Sequence, residues 1–159
     1  SLREAGVLLV LVPAITRAHV SGVARWLGPT RPLIQLSLYG KSNDRFWFTF
    51  FHEAAHLLLH ANSKEDKKSI FLDDPNAAQT DDPREHEANA WAGNWLIPER
   101  HASSLPGLHG RAAIEAFASE IGIHPGIVLG RMQHDGLMPY ATPLNDLKQI
   151  FRFKEAGDE

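Results

Sequence analysis

Three histidines and a glutamate interrupt the most apolar stretch of the 159-residue chain, Phe46 to His60. His52, His56 and His60 are spaced four residues apart, so in a helix they form one row along one face. Nearly all other residues in this stretch are Phe, Trp, Ala or Leu, and a helix that is apolar nearly all round is buried. Burying an unpaired polar group costs about 2–7 kcal/mol, and a bound cation is one way to offset that cost.

The inner part of the stretch reads His-Glu-Ala-Ala-His, with Glu53 directly after His52 and three residues before His56. This is the H-E-x-x-H pattern, in which both histidines bind one zinc ion and the glutamate holds a water molecule. Zinc with three protein ligands keeps a fourth position for water and lowers the pKa of that water from about 15.7 to about 7. We therefore predict His52 and His56 as Zn²⁺ ligands and Glu53 as the catalytic general base.

Two histidines need a third protein ligand to complete such a site. In one class of zinc proteases it is a histidine six residues after the second, with a glycine between, but Asn62 and Leu59 occupy those positions here. The other common solution is a glutamate on a later helix. The helix expected to begin at an N-cap Asp82 offers both Glu85 and Glu87, and spacing leaves the two open.

Composition excludes several functional classes. Hydrophobic residues make up 43% and charged residues 22% of the chain, as in ordinary globular proteins, and the net charge of -3 lacks the basic excess of a nucleic-acid binder. The absence of cysteine excludes disulfides and thiol catalysis and fits a reducing compartment. No apolar run approaches the roughly 20 residues needed to cross a bilayer. We expect a cytoplasmic protein without membrane or direct nucleic-acid partners.

The remaining pattern predicts an α+β fold, with the histidine helix packed on a small twisted sheet. Val7 to Val12 is a continuous apolar run typical of a buried strand, and Leu33 to Tyr39 partly alternates, as in a half-buried strand. A short strand is expected at Ile70 to Leu72. Asn43 or Asp44 is the expected N-cap of the histidine helix.

Helices are expected to dominate the second half of the chain. Asp82 caps a helix that has Pro83 at its first position and that Pro98 ends. Three more helices are expected after it, at Ala112 to Ile121, Gly126 to His134 and near Leu144 to Phe153.

Two segments at this spacing resemble the ImmA/IrrE family of metallopeptidases: FHEAAHLLLH at 51–60 and EHEANAWAGNWLIP at 85–98. The resemblance extends over most of the chain and is greatest to the C-terminal halves of helix-turn-helix regulators linked to toxin–antitoxin systems. It implies a zinc-dependent intracellular endopeptidase that cleaves a regulatory protein partner, such as a repressor or antitoxin-type regulator. The alternative is a non-cleaving metal-binding regulator or antitoxin domain that senses or binds a partner in transcriptional control.

The resemblance also implies a zincin-like core at residues 1–105, with a helical C-terminal subdomain at 106–159 packed on it as one compact unit. The match to the family's Glu-Ala-Asn segment implies that Glu87 is the third zinc ligand. Local chemistry favours the same residue, because Glu85 lies three residues after Asp82 and completes a capping box, whereas Glu87 has no capping role. We therefore predict Glu87 in contact with zinc and Glu85 away from it.

Five further residues are candidates for contacts with the substrate or the transition state: His60, Tyr39, His124, Arg131 and His134. His60 lies one turn too far along for the same metal, and Tyr39 could donate to an oxyanion from the polar face of its strand. The other three lie in a C-terminal helix pair that, in the family, caps the cleft. This pair also fits a helix-turn-helix pattern, but its second helix is mostly apolar, which favours packing over DNA recognition.

Overall fold

The computed structural model of the protein describes residues 4–13, 20–38, 42–61, 70–73 and 82–153. Within these ranges four strands form one sheet: β1 Leu8–Val12, β2 Gly22–Trp26, β3 Pro32–Ser37 and β4 Ile70–Asp73. Their order is β1-β3-β2-β4, with β1 parallel to β3 and β2 antiparallel to both β3 and β4. The sheet and the helices that follow confirm the predicted α+β class.

The two predicted N-terminal strands differ in burial. β3 is a central strand in which Ile34 and Leu36 are buried and Gln35 is half-buried, as the alternation predicts. β1 lies at the sheet edge, where Leu8 is 50% and Leu11 46% exposed. The prediction that β1 is buried is therefore wrong, because an apolar run does not reveal how many neighbours the strand will have.

Helix α1, Asn43–Leu59, carries the histidine row across the sheet and packs on β2, β3 and β4. Its N-cap is Ser42, so the expectation of Asn43 or Asp44 is wrong by one or two residues. The Asn43 side chain serves a different purpose: its Oδ1 accepts hydrogen bonds from the backbone N–H groups of Asp44 and Gln149.

Helix α2, Pro83–Leu96, lies along α1. Asp82 caps it, because its side chain accepts a hydrogen bond of 2.9 Å from the Arg84 backbone N–H, and the helix ends just before Pro98. Both predicted boundaries are confirmed. Ala88 and Ala92 are fully buried, as expected of small side chains at a close helix contact, whereas Trp95 is 61% exposed.

The C-terminal part contains α3 Glu99–Ala102, α4 Gly110–Ile121 and α5 Pro125–His134, with 3-10 turns at Leu105–Gly107 and Pro143–Leu147. The helices expected near α4 and α5 are confirmed. The helix expected near Leu144 to Phe153 is wrong: after the second 3-10 turn, the backbone pairs with the start of α1 instead, where Asn43 N donates to Gln149 O at 2.8 Å. This pairing satisfies backbone groups that a helix would otherwise satisfy internally.

Two hydrophobic clusters stabilise the described part of the chain. One lies between the sheet and α1: Ala24, Ile34, Leu36, Leu57 and Phe71. The other is C-terminal: Ile97, Leu105, Ile114, Phe117, Ala118, Val128, Leu129, Met132 and Leu147. The subdomain boundary after residue 105 stays a prediction. Ile97 and Leu105, on the N-terminal side of this boundary, belong to the C-terminal cluster.

The start of α1 joins the two parts. Gly126 and Gly130 on α5 lie against Asn43 and Asp44, so closely that a Cβ on either glycine would come within 2.8 Å of these side chains. Lys148 Nζ donates to Asp44 Oδ2 at 2.6 Å, and both side chains are largely buried. Among the described residues, no single helix combines the length and apolar composition that crossing a membrane requires.

Candidate metal centre

The histidine row of α1 is buried where α1 faces α2. His52, His56 and His60 are at most 8% exposed, and Glu53 is fully buried. Because α1 crosses the sheet and α2 lies along α1, side chains from both helices meet in the space between them. The second helix contributes carboxylates to this space, as the sequence predicts.

Three groups converge at one point. His52 Nε2 and His56 Nε2 are 3.0 Å apart, and the two oxygens of Glu85 lie 3.1 Å from His52 Nε2 and 3.3 Å from His56 Nε2. Ligands about 2.0–2.2 Å from a tetrahedral zinc ion are about 3.3–3.6 Å from one another. The observed separations differ from this spacing by only a few tenths of an ångström, so the three residues fit a metal ion.

The two glutamates are placed differently from our prediction, and the identity of the third zinc ligand stays a prediction. Glu85, expected to lie away from the histidine pair, is the carboxylate beside it, whereas Glu87 Oε2 lies 3.0 Å from His60 Nε2. The Asp82 side chain caps the helix, while the Glu85 carboxylate, expected to take part in a capping box, lies at the histidine pair. Glu85 and Asn89 are four residues apart on one face of α2, and it is this face that reaches His52.

Hydrogen bonding and stacking orient the two histidines. Asn89 Oδ1 lies 3.0 Å from His52 Nδ1, so the ring donates from Nδ1 and keeps the Nε2 lone pair for a metal. The His56 ring stacks on Phe71 of β4, with centroids 4.3 Å apart and planes within 10°. Burial, followed by the neighbouring His52 and His60, lowers the pKa of His56 to about 3, which keeps this imidazole neutral.

Glu53 packs against the first residue of β2. A Cβ placed on Gly22 would lie 2.5 Å from Glu53 Oε1 and 2.6 Å from Thr49 Cγ2. Only a residue without a side chain allows α1 to approach the sheet this closely. Gly22 therefore helps to fix the position of the predicted general base.

The other predicted contact residues fall into different environments. Tyr39 lies outside the described residues. His124 caps α5, because its Nδ1 accepts from the Gly126 backbone N–H at 3.0 Å and lies 2.9 Å from Asn43 Nδ2. It thus has a structural role at the α1–α5 contact. That Tyr39 and His124 contact the substrate stays a prediction.

Arg131 and His134 line a groove of about 1240 Å³ between α1, α2 and α5. The His134 ring lies 6.3 Å from that of Phe48, which is in turn 6.3 Å from the His52 ring. Phe48 and Asn89, which both lie close to His52, also line the groove, so the groove adjoins the site on the His52 side. Arg131 Nε donates to Asp135 at 2.7 Å, and this ion pair lies on the groove wall.

Four residues of this site were missed by the sequence reasoning: Glu85 as a member of the cluster, Asn89, Phe71 and Gly22. The spacing of Glu85 and Asn89 was available as a signal, since residues four apart share a helix face. Phe71 and Gly22 carry no such signal, because only the packing of β2 and β4 against α1 brings them to the site.

Comparison with known families matches residues 9–128 to the model of Peptidase_M78, the IrrE N-terminal-like domain. The match includes both helices of the site and all four strands except Leu8. A peptidase family and a His/His/Glu cluster together indicate a metallopeptidase-type function. No curated protein matches the chain.

Proposed function

We propose, from the premise that the chain belongs to the Peptidase_M78 family of IrrE N-terminal-like domains, that it is a zinc-dependent endopeptidase. The observation that carries the proposal is the convergence of His52, His56 and Glu85 within 3.0–3.3 Å. Two imidazoles and one carboxylate are the donor set of one class of catalytic zinc site. Zinc bound there supplies a Lewis acid that polarises a carbonyl and acidifies water.

The chain's own residues supply the proton transfers. Glu53 is fully buried beside the histidines, and we assign its carboxylate as the group that accepts a proton from the attacking water. The same carboxylate then gives this proton to the leaving nitrogen of the cleaved peptide. Asn89 holds the His52 ring during these steps, and Phe71 holds the His56 ring.

The proposed substrate is an extended segment of protein, bound beside β4. β4 is an edge strand, so its outer backbone groups have no strand partner among the described residues. Because Phe71 of β4 stacks on His56, a peptide that pairs with this edge passes next to the metal ligands. The groove between α1, α2 and α5 offers room for the substrate's side chains, with Arg131 and His134 on its wall.

We further propose that the substrate is an intracellular regulatory protein, such as a repressor or antitoxin-type regulator. The support is the sequence resemblance to peptidase halves of regulators linked to toxin–antitoxin systems, together with a net charge of -3 that disfavours direct DNA binding by this domain.

The test combines metal analysis with substrate profiling. Purified protein should hold about one zinc per chain, and a His52→Ala/His56→Ala variant should hold none. Glu53→Gln should retain zinc, because the spacing places Glu53 beside the ligands rather than among them. Full metal retention by the double variant would refute the metal site.

Cleavage is read by mass spectrometry of new peptide termini after zinc-loaded protein is incubated with the proteins encoded beside it. Termini that appear with wild type and are absent with Glu53→Gln would identify the substrate and the cleaved bond. Zinc binding without any Glu53-dependent cleavage would contradict the peptidase proposal and favour a domain that binds its partner without cutting it.

A further inference from the structure

A chain of hydrogen-bonding distances runs away from the candidate metal centre. His56 Nδ1 lies 3.0 Å from His60 Nδ1, and His60 Nε2 lies 3.0 Å from Glu87 Oε2. His60 is 8% exposed, whereas the Glu87 side chain is 62% exposed. These contacts therefore link the buried His56 ring, next to the candidate metal centre, to the Glu87 carboxylate at the surface.

The proton positions along this series of contacts follow from the protonation of Glu87 at its exposed end. An ionised carboxylate only accepts hydrogen bonds, so His60 Nε2 must carry the hydrogen that lies towards Glu87. A neutral imidazole has one N–H, which leaves His60 Nδ1 as an acceptor. The hydrogen in the next contact must then belong to His56 Nδ1, and His56 Nε2 is left with a lone pair.

That lone pair is the one that points towards Glu85 and His52, where a metal ligand needs it. We infer that Glu87 and His60 are positioning residues that set the tautomer and ring orientation of His56. His60 positions the His56 ring in the same way that Asn89 positions the His52 ring. This inference rests on the proposed metal-dependent function, and it gives Glu87 a role outside the set of metal ligands.

The magnitude depends on where each residue sits. Partners of metal-bound histidines typically change metal affinity about 10- to 100-fold when removed. His60 is buried and touches the ring directly, so His60→Ala should weaken zinc binding about 10- to 100-fold. Glu87 is mostly exposed and an amide oxygen still accepts a hydrogen bond, so Glu87→Gln should weaken it only about three- to tenfold.

A conservative variant separates positioning from simple packing. His60→Asn places an amide oxygen near the former position of Nδ1, where it accepts from His56 Nδ1–H without any help from Glu87. We expect this variant to recover most of the affinity lost in His60→Ala. In the His60→Asn background, Glu87→Gln should no longer change the affinity, because the link between them is gone.

The experiment measures zinc affinity by competition with a chelator for wild type, His60→Ala, His60→Asn, Glu87→Gln and the double variant. His86→Ala and Glu120→Gln are matched controls, since both residues are exposed and outside the cluster. Glu85→Gln tests the proposed function separately: it should lose affinity more strongly than any of the positioning variants. Affinities of His60→Ala and Glu87→Gln equal to those of the controls would overturn the inference while leaving the metal site intact.

A second readout does not require metal. Long-range ¹⁵N–¹H correlation spectra of the metal-free protein identify which ring nitrogen of each histidine carries hydrogen. We expect hydrogen on Nδ1 of His56 and on Nε2 of His60, with the His56 preference lost in His60→Ala and kept in His60→Asn. Hydrogen on Nε2 of His56 in the wild type would overturn the inference, even if zinc binding proved absent.

Discussion

Gly22→Ala tests the closest approach between the sheet and the helix of the site. The added Cβ would lie 2.5 Å from Glu53 Oε1, 2.6 Å from Thr49 Cγ2 and 2.8 Å from Glu53 Cγ. Ordinary contacts begin at 3.4 Å, so the nearest atom must move by about 0.9 Å. Overpacking of this kind typically costs about 1–3 kcal/mol, against which alanine recovers about 0.5–1 kcal/mol of unfolded-state entropy. We expect the net free energy of unfolding to fall by roughly 0.5–2 kcal/mol.

The displaced atoms belong to the proposed general base and not to the metal ligands. Zinc affinity should therefore change little, whereas cleavage should fall about 100-fold, the loss typical of a 1 Å misplacement in an active site. Stability is measured by urea denaturation at matched metal content, and cleavage by the appearance of Glu53-dependent peptide termini.

Gly28→Ala is the matched control, because a Cβ there meets nothing within 4 Å. It should leave stability within about 1 kcal/mol of wild type or raise it slightly. If Gly22→Ala and Gly28→Ala were equally stable, the close approach of α1 to β2 described above would be wrong. Equal stability together with undiminished cleavage would also refute the role of Gly22 in fixing Glu53.

Two other predictions concern the C-terminal contact and DNA. Lys148→Met should lower the free energy of unfolding by about 3–5 kcal/mol in urea denaturation, because it leaves the Asp44 carboxylate buried without its cation. A Lys148→Met/Asp44→Asn variant should recover part of this loss, and a single variant as stable as wild type would contradict the description of the pair as buried. The protein should not shift duplex DNA at sub-micromolar concentration and physiological salt, since its net charge is -3 and α5 is mostly apolar; a band shift under these conditions would identify the α4–α5 pair as a DNA reader.

The chain's local patterns predict most of its elements correctly. The three-and-four spacing identifies α1, and the Asp82-Pro83 start and Pro98 stop bound α2, because caps and proline act on the backbone within one turn. The failures have the same physical origin. β1 is apolar in sequence but exposed at an edge, and the last expected helix is replaced by pairing of the Gln149 backbone with α1. Both outcomes are determined by contacts between residues that are far apart in the sequence.

The same division applies to the site. His52 and His56 come together because residues four apart in a helix share a face, so their sequence spacing alone determined that they would meet, at 3.0 Å between Nε2 atoms. Which glutamate joins them was decided by the tertiary structure. Glu85 and Glu87 belong to one helix two residues apart, and their local chemistry favoured Glu87, whereas Glu85 is the one that lies beside the histidine pair. The packing of buried Ala88 and Ala92 sets the rotation of α2 about its axis. This rotation turns Glu85 and Asn89 towards His52 and places Glu87 beside His60.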